Sequence, residues 1–382
     1  MFKFPWRPAA ALLSRSALKS NLDLVRERLK NPTPLHAKGA KIMAVVKADA
    51  YGHRSSVFSP QLWRHGVRDF CVASLEEGLE LRKILPRASI LVLGGTLRWN
   101  KESFQLAQKN RLSVAINDLK SLSRASSFRS LQFHIKFDTG MNRLGLKSED
   151  WGACIELLRK MKIQPEGIFT HFASFGENSG FLRQAILFEE FVRWYFNEGL
   201  KAKTVHCENS SALFSQLKMK KGILSTKVNL VRPGIAIYGY MPKGFLRKLP
   251  LSPVLELCSE LSLIKTVKKG EGISYDHLYR AKNDHQYAVV PLGYADGIAK
   301  EYSQDLEPLW YDRRGRKKGR LSLCGAICMD MLLLKSNGKP LEEQDRVSFW
   351  GDFPNRLVER AGVDPYELNL RIAPRIPRVW VP

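Results

Sequence analysis

Short apolar runs alternate with amphipathic segments along the first two thirds of the chain. Each run has the length of a strand, and its unbroken apolar character is typical of a strand buried on both faces of a parallel sheet. The segments between the runs repeat apolar residues at helical spacing. The strand-like runs are Ile42–Val46, Phe70–Ala73, Ile90–Leu93, Leu112–Ile116, Phe133–Phe137, Gly167–Phe172, Thr204–Cys207 and Val228–Val231.

The order of these units predicts the fold class. Eight strand–helix units are the number that closes a parallel barrel, so we predict an α/β protein with an N-terminal (β/α)8 TIM-type barrel. An open, doubly wound sheet is the structural alternative, but no Gly-x-Gly-x-x-Gly motif follows the first run. The clearest helices are predicted over Ser16–Lys30, Leu75–Arg82, Asp150–Met161 and Phe181–Tyr195.

The pattern changes near Pro250. Residues Leu255–Leu263 alternate with period two, as an antiparallel strand with one buried face does. Further β-like runs cover Val289–Leu292, Leu321–Leu334 and Val347–Trp350, with a short helical piece at Leu357–Ala361. We therefore predict a barrel domain over residues 1–245 and a mostly-β domain over residues 246–382, with about the first 12 residues able to pack against the second domain.

Composition limits the class of protein. The chain has 382 residues, 44% of them hydrophobic, which suits two domains with a large core. No apolar run spans a bilayer and Met1–Leu13 is a poor signal peptide, so we expect a cytoplasmic protein without a membrane partner. The six cysteines lie mostly in apolar stretches without Cys-x-x-Cys spacing. Buried reduced thiols are therefore expected rather than disulfides or a zinc site, and no metal is expected.

The formal net charge of +24 makes nucleic-acid binding a hypothesis to weigh. Much of the excess is dispersed, but Arg313–Arg320 is a dense basic run whose two glycines suit a hairpin tip. No aromatic residues interleave with these cations. A solvated loop is the favoured interpretation, and nucleic acid is not an expected partner.

Polar residues follow the strand-like runs at the same end of each. Lys47 ends the first run, where its amine could react with an aldehyde cofactor, although an isolated lysine there would more often be a solvated one. In a barrel these strand ends converge on the face that carries the active site. The later runs end near Lys136, Asp138, His171, His206, Asn209, Ser210, Arg232 and Gly234.

The first of these positions lies in a motif. The stretch at residues 44–53, AVVKADAYGH, resembles the cofactor-lysine motif of alanine racemase, a family of pyridoxal 5'-phosphate enzymes. The resemblance implies that Lys47 bonds covalently to the cofactor and that Tyr51 hydrogen-bonds its phosphate. The family usually places Gly where this chain has Arg54. Further motifs resemble the family in the same order along nearly the full chain.

Two of these motifs follow the fifth and sixth runs. The family's fifth-strand motif is similar to HIKFDTGMNRLG at residues 134–145. In the family the lysine matching Lys136 is often carbamylated and positions the arginine matching Arg143, so the resemblance makes Lys136 a candidate for carbamylation and implies that Arg143 contacts the cofactor and the substrate. A buried pair of Lys136 with Asp138 is the alternative. The sixth motif, THFA at residues 170–173, implies that His171 lies at the cofactor and polarises the catalytic tyrosine.

The motifs after the seventh and eighth runs resemble the family's phosphate side. A phosphate needs hydroxyl and backbone N–H donors, although Ser210 could also be a plain helix N-cap. Arg232 would face the pyridine nitrogen, and because an arginine keeps its proton, the ring stays unprotonated and racemisation is favoured over transamination. The cofactor contacts implied on this side are His206, Asn209, Ser210, Arg232, Gly234 and Ile235.

The β-rich part carries the remaining motifs. The stretch at residues 272–275, GISY, resembles a family motif that contains a catalytic tyrosine. The resemblance implies that this tyrosine, here Tyr275, is the second acid/base and comes from the opposite subunit of a homodimer. Met329 and Asp330 would bind substrate across the same interface, and Tyr294 would lie near the entrance. Racemisation needs two bases on opposite faces of the substrate carbon, so Lys47 would serve the D face and Tyr275 the L face.

The departures from the family fall at the substrate entrance: Pro374, Gly176, Lys300 and Ala326 stand where the best-known members carry a tyrosine and charged residues. The leading hypothesis is an alanine racemase that supplies D-alanine for peptidoglycan, and the alternative is a broad-specificity amino-acid racemase. A fold-related decarboxylase is disfavoured by Arg232, because such enzymes generally use an acidic residue there. A basic nucleic-acid-binding barrel is the non-enzymatic competitor.

Overall fold

The apolar runs form one parallel sheet in a computed structural model, which describes residues 4, 6–94, 99–174, 179–215, 219–242, 245, 249–350, 357–358 and 362–382. A first strand, β1 (Ala9–Ser14), precedes this sheet. The sheet strands are β2 Lys41–Val45, β3 Asp69–Val72, β4 Ser89–Val92, β5 Ser113–Ile116, β6 Phe133–Lys136, β7 Gly167–Phe169, β8 Thr204–His206 and β9 Leu230–Val231.

The sheet curls into a nearly closed barrel. Its strand order is β8-β7-β6-β5-β4-β3-β2-β9, with every neighbouring pair parallel. The two end strands, β8 and β9, also approach each other, as two hydrogen bonds next to them show. Asn229 N donates to Val205 O at 3.2 Å, and Arg232 N donates to Glu208 O at 2.8 Å. The predicted α/β barrel is confirmed.

Most strand boundaries differ from the prediction by a single residue, and two differ by more. β7 ends at Phe169, and the carbonyl of Phe172 instead accepts a hydrogen bond from Asn209 Nδ2 at 3.2 Å. β9 begins at Leu230, because Val228 N donates to Leu224 O and so closes the helix before it. Apolar character alone cannot separate these positions from strand residues.

Helices on the outside cover the barrel. Ser14 and Ser74 cap the first and third helices by accepting from the backbone N–H three residues on, which satisfies a donor that the helix leaves free. The helices are α1 Arg15–Leu29, α2 Ser55–Arg64, α3 Leu75–Ile84, α4 Lys101–Lys109, α5 Leu119–Ala125, α6 Trp151–Met161, α7 Ser179–Asn197, α8 Ser210–Phe214, α9 Leu224–Lys227 and α10 Pro365–Arg371.

The described residues of the mostly-β part form three sheets. Their strands are β10 Leu255–Glu260, β11 Leu263–Val267, β12 Gly272–Ile273, β13 Tyr279–Arg280, β14 His285–Val290, β15 Leu309–Tyr311, β16 Lys317–Arg320, β17 Ser322–Leu323, β18 Leu332–Lys335, β19 Arg346–Trp350 and β20 Arg378–Val381. The largest sheet has the order β16-β15-β19-β10-β1-β20, so the N-terminal strand β1 lies within it. The others have the orders β11-β14-β18-β17 and β12-β13.

Two predictions for this part were wrong in detail. Leu255–Leu263 is not one strand, because β10 ends at Glu260 and Leu263 begins β11. β10 lies between β1 and β19, and its register with β19 shifts after Leu257. Both Cys258 and Ser259 are buried. A central strand with two covered faces does not keep the alternation that was assumed. The run Leu321–Leu334 is likewise split into β17 and β18 by a loop. The helical piece predicted at Leu357–Ala361 lies largely outside the described residues, and the domain boundary stays a prediction.

The basic run and the cysteines also have defined places. Residues 313–316 form the tip between the antiparallel strands β15 and β16, and Gly315 has a positive φ of 81° there, whereas Gly319 lies in β16 opposite Trp310. The cysteines are unpaired, and all but Cys328 are buried. Within the described ranges, no helix is both long and apolar enough to cross a bilayer.

Candidate active site

A cavity of about 630 Å³ opens at the carboxyl end of the barrel strands. It brings together most of the site residues predicted for the barrel, because parallel strands deliver their last side chains to one face. Cys71, Phe169 and Val45 form part of its apolar floor. The predicted residues that line it are Lys47, Tyr51, Lys136, Arg143, His171, Asn209, Ser210, Arg232, Gly234 and Ile235.

Lys47 begins a left-handed helical turn, Lys47–Tyr51, which we call the lysine turn. Ala48, Asp49, Ala50 and Tyr51 have φ values of 52°, 51°, 55° and 52°. Non-glycine residues in this conformation cost about 1–2 kcal/mol each, so the surroundings must hold the turn. Gly52 ends it with a φ of 80° and packs so closely on Asn369 that a Cβ would lie 2.1 Å from that residue's carbonyl oxygen.

Hydroxyl and backbone groups gather where the end of the lysine turn meets the segment after β9. Ser210 Oγ accepts from Gly234 N at 2.9 Å and from Ala236 N at 3.2 Å, which leaves its O–H free to donate. A Cβ on Gly234 would lie 3.0 Å from Tyr51 Oη, so a larger residue here would have to displace the phenol. Burial raises the pKa of Tyr51, which keeps its phenol protonated as a donor. This donor set suits an oxyanion such as a phosphate.

Asn209 is the helix cap on this side, a role considered above for Ser210. Its Oδ1 accepts from Ala212 N at 2.9 Å at the start of α8, and its Nδ2 donates to Phe172 O. Ser210 is therefore not needed as a cap, and its hydroxyl points to the Gly234 backbone instead.

Arg232 is a buried cation whose described partners include no carboxylate. Its guanidinium donates to Thr170 O at 2.6 Å, to Cys207 O at 3.4 Å and to His206 Nδ1. Since an arginine only donates, Nδ1 of His206 is the acceptor and its Nε2 carries the proton toward His134 Nδ1, 2.9 Å away. His206 lies behind Arg232 and outside the cavity lining, so any effect on a cofactor passes through Arg232.

Burial, assisted by nearby positive charge, sets the protonation of two cavity residues. Burial, followed by the charges of Arg232 and Lys136, lowers the pKa of His171 well below its usual value, so this imidazole is neutral at pH 7. Burial, followed by the charges of Arg143 and Arg232, lowers the pKa of Lys136 to about 8. Asp138 Oδ1 accepts from three backbone N–H groups at residues 140–142, each at 3.0 Å, and so holds the turn that leads to Arg143.

The predicted residues from the β-rich part do not line this cavity. Tyr275 and Met329 are 71% and 53% exposed. Tyr294 N donates to Cys328 O at 3.0 Å, which places Tyr294 beside Met329, and the carboxylate of Asp330 accepts from Arg375 at 2.7 Å. One chain therefore carries two separate groups of site residues. Lys300 lies 4.8 Å from the Tyr294 ring centroid, and Gly176 lies outside the described residues.

Sequence reasoning missed two residues that support the cavity. His134 completes the Arg232–His206 chain of hydrogen bonds, and Glu77 accepts from the backbone at the start of the lysine turn. The pattern Ser74-x-x-Glu77 is typical of a helix start and marks Glu77, but it predicts a cap rather than a contact with a distant turn. No cluster of metal-binding side chains occurs in the described part of the chain.

Comparison with known proteins gives one family for both parts. The families described as alanine racemase, N-terminal domain, and alanine racemase, C-terminal domain, match residues 13–242 and 254–380. An alanine racemase of Geobacter sulfurreducens is 33% identical over 392 residues, covering 98% of this chain and 97% of that protein. Alanine racemase 1 of Bacillus subtilis is 33% identical over 392 residues, covering 98% of this chain and 94% of that protein.

Solved structures agree. The alanine racemase of Clostridium difficile 630 superposes with a TM-score of 0.83 at 28% identity, covering 98% of this chain and 96% of that one. Another structure of that protein is a complex with cycloserine. The alanine racemase of Bacillus anthracis with bound L-Ala-P superposes with a TM-score of 0.83 at 27% identity, covering 100% of this chain and 96% of that one.

Proposed function

Because the chain belongs to the alanine racemase family and is therefore an isomerase, we propose that it interconverts L-alanine and D-alanine with pyridoxal 5'-phosphate as cofactor. The observation that carries the proposal is the cavity that collects Lys47, Tyr51, Ser210 and Arg232. An amine, two hydroxyl donors and a fixed cation suit a ligand with an aldehyde, a phosphate and a ring nitrogen. When bound, this cofactor withdraws electrons from the α-carbon of an amino acid and so acidifies its proton.

The proposed contacts follow the donors of the cavity. Tyr51 and Ser210 hold the phosphate through their O–H groups, and Gly234 with Ile235 offers backbone at close approach. Arg143 and Lys136 also line the cavity, and Arg143 would contact the phenolic oxygen of the cofactor and the substrate carboxylate. His171 and Asn209 complete the lining on the β7 and β8 side.

Arg232 selects among the reactions open to such a cofactor. It binds the ring nitrogen as a donor that keeps its own proton, so no proton passes to the ring. Its orientation is supported by Thr170, Cys207 and His206, which hold the guanidinium on one side. The α-carbon is then the place where a proton returns, which favours racemisation over transamination.

Two bases are needed, and one chain offers one of them in the cavity. Lys47 takes or returns the α-proton on the D face. Tyr275 does so on the L face and comes from a second copy of the chain, with its hydroxyl polarised by His171 and, behind it, Arg232. The neutral state of His171 supports this role, since a neutral ring nitrogen can accept from a phenol.

A homodimer would complete the site. Tyr275 and Leu278 on one segment and Met329 and Met331 on another are 71%, 72%, 53% and 45% exposed. Ser274 Oγ lies 3.5 Å from Cys328 Sγ, which brings the two segments together. A grouped apolar surface of this kind is typical of an interface, and a two-fold symmetric pair places the same surface on both cavities. Met329, Asp330 and Tyr294 would then reach the partner's substrate and entrance.

We also propose that Lys136 is carbamylated. Its pKa of about 8 leaves part of the amine neutral near physiological pH. The neutral nitrogen attacks carbon dioxide, the N–C bond forms and one N–H proton leaves to solvent, so the cation becomes an anion. The nearby charges of Arg143 and Arg232 would stabilise that anion, whereas they disfavour the unmodified ammonium.

D-Alanine made by this reaction would supply peptidoglycan synthesis. The unpaired cysteines favour a reducing compartment, and we propose the cytoplasm.

We also propose that the chain divides into a barrel domain that ends near residue 245 and a mostly-β domain that begins near residue 246. Nucleic acid is not a proposed partner.

A broad-specificity racemase is the second candidate. Two positions at the predicted substrate entrance favour it. Pro374 stands where the best-known family members carry a tyrosine, and the amine of Lys300 lies over the ring of Tyr294. Purified enzyme that turns over alanine alone, with serine, lysine and arginine inert, would exclude it.

The main experiment follows enantiopure L-alanine by circular dichroism with the purified protein and added pyridoxal phosphate. We expect the signal to decay to zero as the two enantiomers equalise, and a visible absorbance band that Lys47→Ala removes. A chain that leaves L-alanine unchanged and develops no such band would refute the proposal, and tight, salt-sensitive DNA binding would then favour the non-enzymatic competitor.

A further inference from the structure

The carboxylate of Glu77 joins two backbone segments that come from different strand ends. Its Oε1 accepts from Ala48 N at 2.7 Å, and its Oε2 accepts from Ala73 N at 2.7 Å. Ala48 directly follows Lys47, and Ala73 follows β3 and lines the cavity. One half-buried side chain therefore fixes the start of the lysine turn to the neighbouring strand end.

The far end of the lysine turn is held by other contacts. Ala50 N donates to Val46 O at 3.0 Å, and Gly52 N donates to Ala48 O at 3.1 Å. The N–H of Ala48 lies at the first turn, where a helix has no acceptor of its own. Glu77 supplies that acceptor, and a charged acceptor makes a stronger hydrogen bond than a neutral one.

We propose that Glu77 is a positioning residue for the racemase chemistry, because it holds the lysine turn in the conformation that points Lys47 and Tyr51 into the cavity. This inference rests on the proposed function, in which those two side chains hold the cofactor. Glu77 itself does not line the cavity, so it acts only through the turn. Without it, the strained turn has one anchor fewer at the residue next to Lys47.

A purely structural role as a helix cap predicts something different. Ser74 caps α3 by accepting from Glu77 N at 3.3 Å, so Ser74→Ala weakens the same helix and leaves both carboxylate contacts in place. Glu76 lies one residue earlier and is exposed, so Glu76→Gln removes the same charge without touching the turn. These two variants are matched controls.

The experiment compares Glu77→Gln and Glu77→Ala with both controls. Glu77→Gln keeps the shape of the side chain but presents an N–H₂ group to one of the two backbone donors. We expect the dissociation constant for pyridoxal phosphate to rise about tenfold or more and kcat to fall by a similar factor, while KM for alanine changes less. Ser74→Ala and Glu76→Gln should stay within about twofold of the wild type in both quantities, even where Ser74→Ala lowers the unfolding temperature.

A second measurement does not depend on the cofactor. Amide hydrogen exchange of the cofactor-free protein should be faster at Ala48 and along the lysine turn in Glu77→Gln than in Ser74→Ala. Equal exchange at Ala48 together with an unchanged dissociation constant would overturn the inference. If the wild type neither binds the cofactor nor racemises alanine, the proposed function fails, but faster exchange at Ala48 would still separate the positioning effect of Glu77 from helix capping.

Discussion

Arg378, near the end of the chain, binds the carbonyl oxygen of Gly52 at the end of the lysine turn. Its Nε and Nη2 donate to that oxygen at 3.1 and 3.0 Å. The same guanidinium donates to the carbonyls of Ile372, Ala373 and Ile376, each at 2.7 Å. The segment after α10 therefore holds the lysine turn from the side opposite Glu77.

This contact predicts a loss of stability on substitution. Arg378→Lys can replace only part of the fork of donors, so several buried carbonyls lose a charged partner, and we expect a decrease of about 2–3 kcal/mol in the free energy of unfolding. Arg371→Lys, at the exposed end of α10, is the control, because its pairing with Glu367 is solvated and contributes about 0.5 kcal/mol. Denaturant unfolding that gives equal values for the two variants would contradict this role.

The second prediction concerns reaction choice at Arg232. Arg232→Glu puts an ionisable group where the fixed cation was, so a proton can reach the ring nitrogen. We expect racemisation to fall by about 10²-fold or more and pyruvate from alanine, measured by a coupled lactate dehydrogenase assay, to rise relative to it. Arg232→Lys keeps the charge and should lose rate without gaining pyruvate. An unchanged ratio of the two activities in Arg232→Glu would count against the proposed role.

The third prediction separates the two bases. Tyr275→Phe removes one oxygen from a side chain that is 71% exposed in the isolated chain, so folding should be unaffected. In deuterated water, exchange of the α-hydrogen of L-alanine should slow by about 10²–10⁴-fold, because its base is lost. Exchange of D-alanine should continue through Lys47. Proton NMR measures both, and equal slowing of the two enantiomers would contradict the assignment of faces.

The fourth prediction concerns Lys136. Burial and the charges of Arg143 and Arg232 lower the pKa of Lys136 in the folded chain from the usual 10.5 to about 8, so the neutral fraction rises as the pH increases through about 8. Because the unfolded chain binds the proton over that interval, the contribution of an unmodified Lys136 to the free energy of unfolding also rises with pH there. With ¹³C-bicarbonate we expect a carbamate signal by NMR that strengthens as the pH increases through that value.

The control for this measurement is an exposed lysine. Lys136→Met should abolish the carbamate signal, whereas Lys160→Met, in α6, should leave it intact. A signal that survives Lys136→Met would assign the modification to another amine.

The barrel and most of the cavity lining could be predicted from the sequence, and the reason is geometric. Parallel strands deliver their ends to one face, so the positions of Lys47, Lys136, His171 and Arg232 follow once the runs are recognised. The left-handed lysine turn could not be predicted, because no glycine marks residues 48–51 and the conformation depends on Glu77 and on distant Asn369.

Contacts between distant segments explain the other differences. Leu255–Leu263 has the alternation of an antiparallel strand with one buried face, but β10 is central and both Cys258 and Ser259 are buried. Its pairing with the N-terminal strand β1 depends on residues more than two hundred positions away. In the sequence, His134 is one residue of a strand-like run. The fold brings it beside His206, which in turn contacts Arg232. The proposed role of Tyr275 in a second copy is supported in one chain by its exposure, whereas its sequence pattern resembles the family motif.

The central claim is that Lys47 of one subunit and Tyr275 of the other share one active site. Lys47→Ala and Tyr275→Phe are each expected to be inactive as homodimers. Mixing them under conditions that allow subunits to exchange creates dimers in which one site has both native residues, and random pairing in equal amounts should restore about a quarter of the wild-type racemase activity. Activity that stays at the level of the separate variants after verified subunit exchange would contradict the shared site.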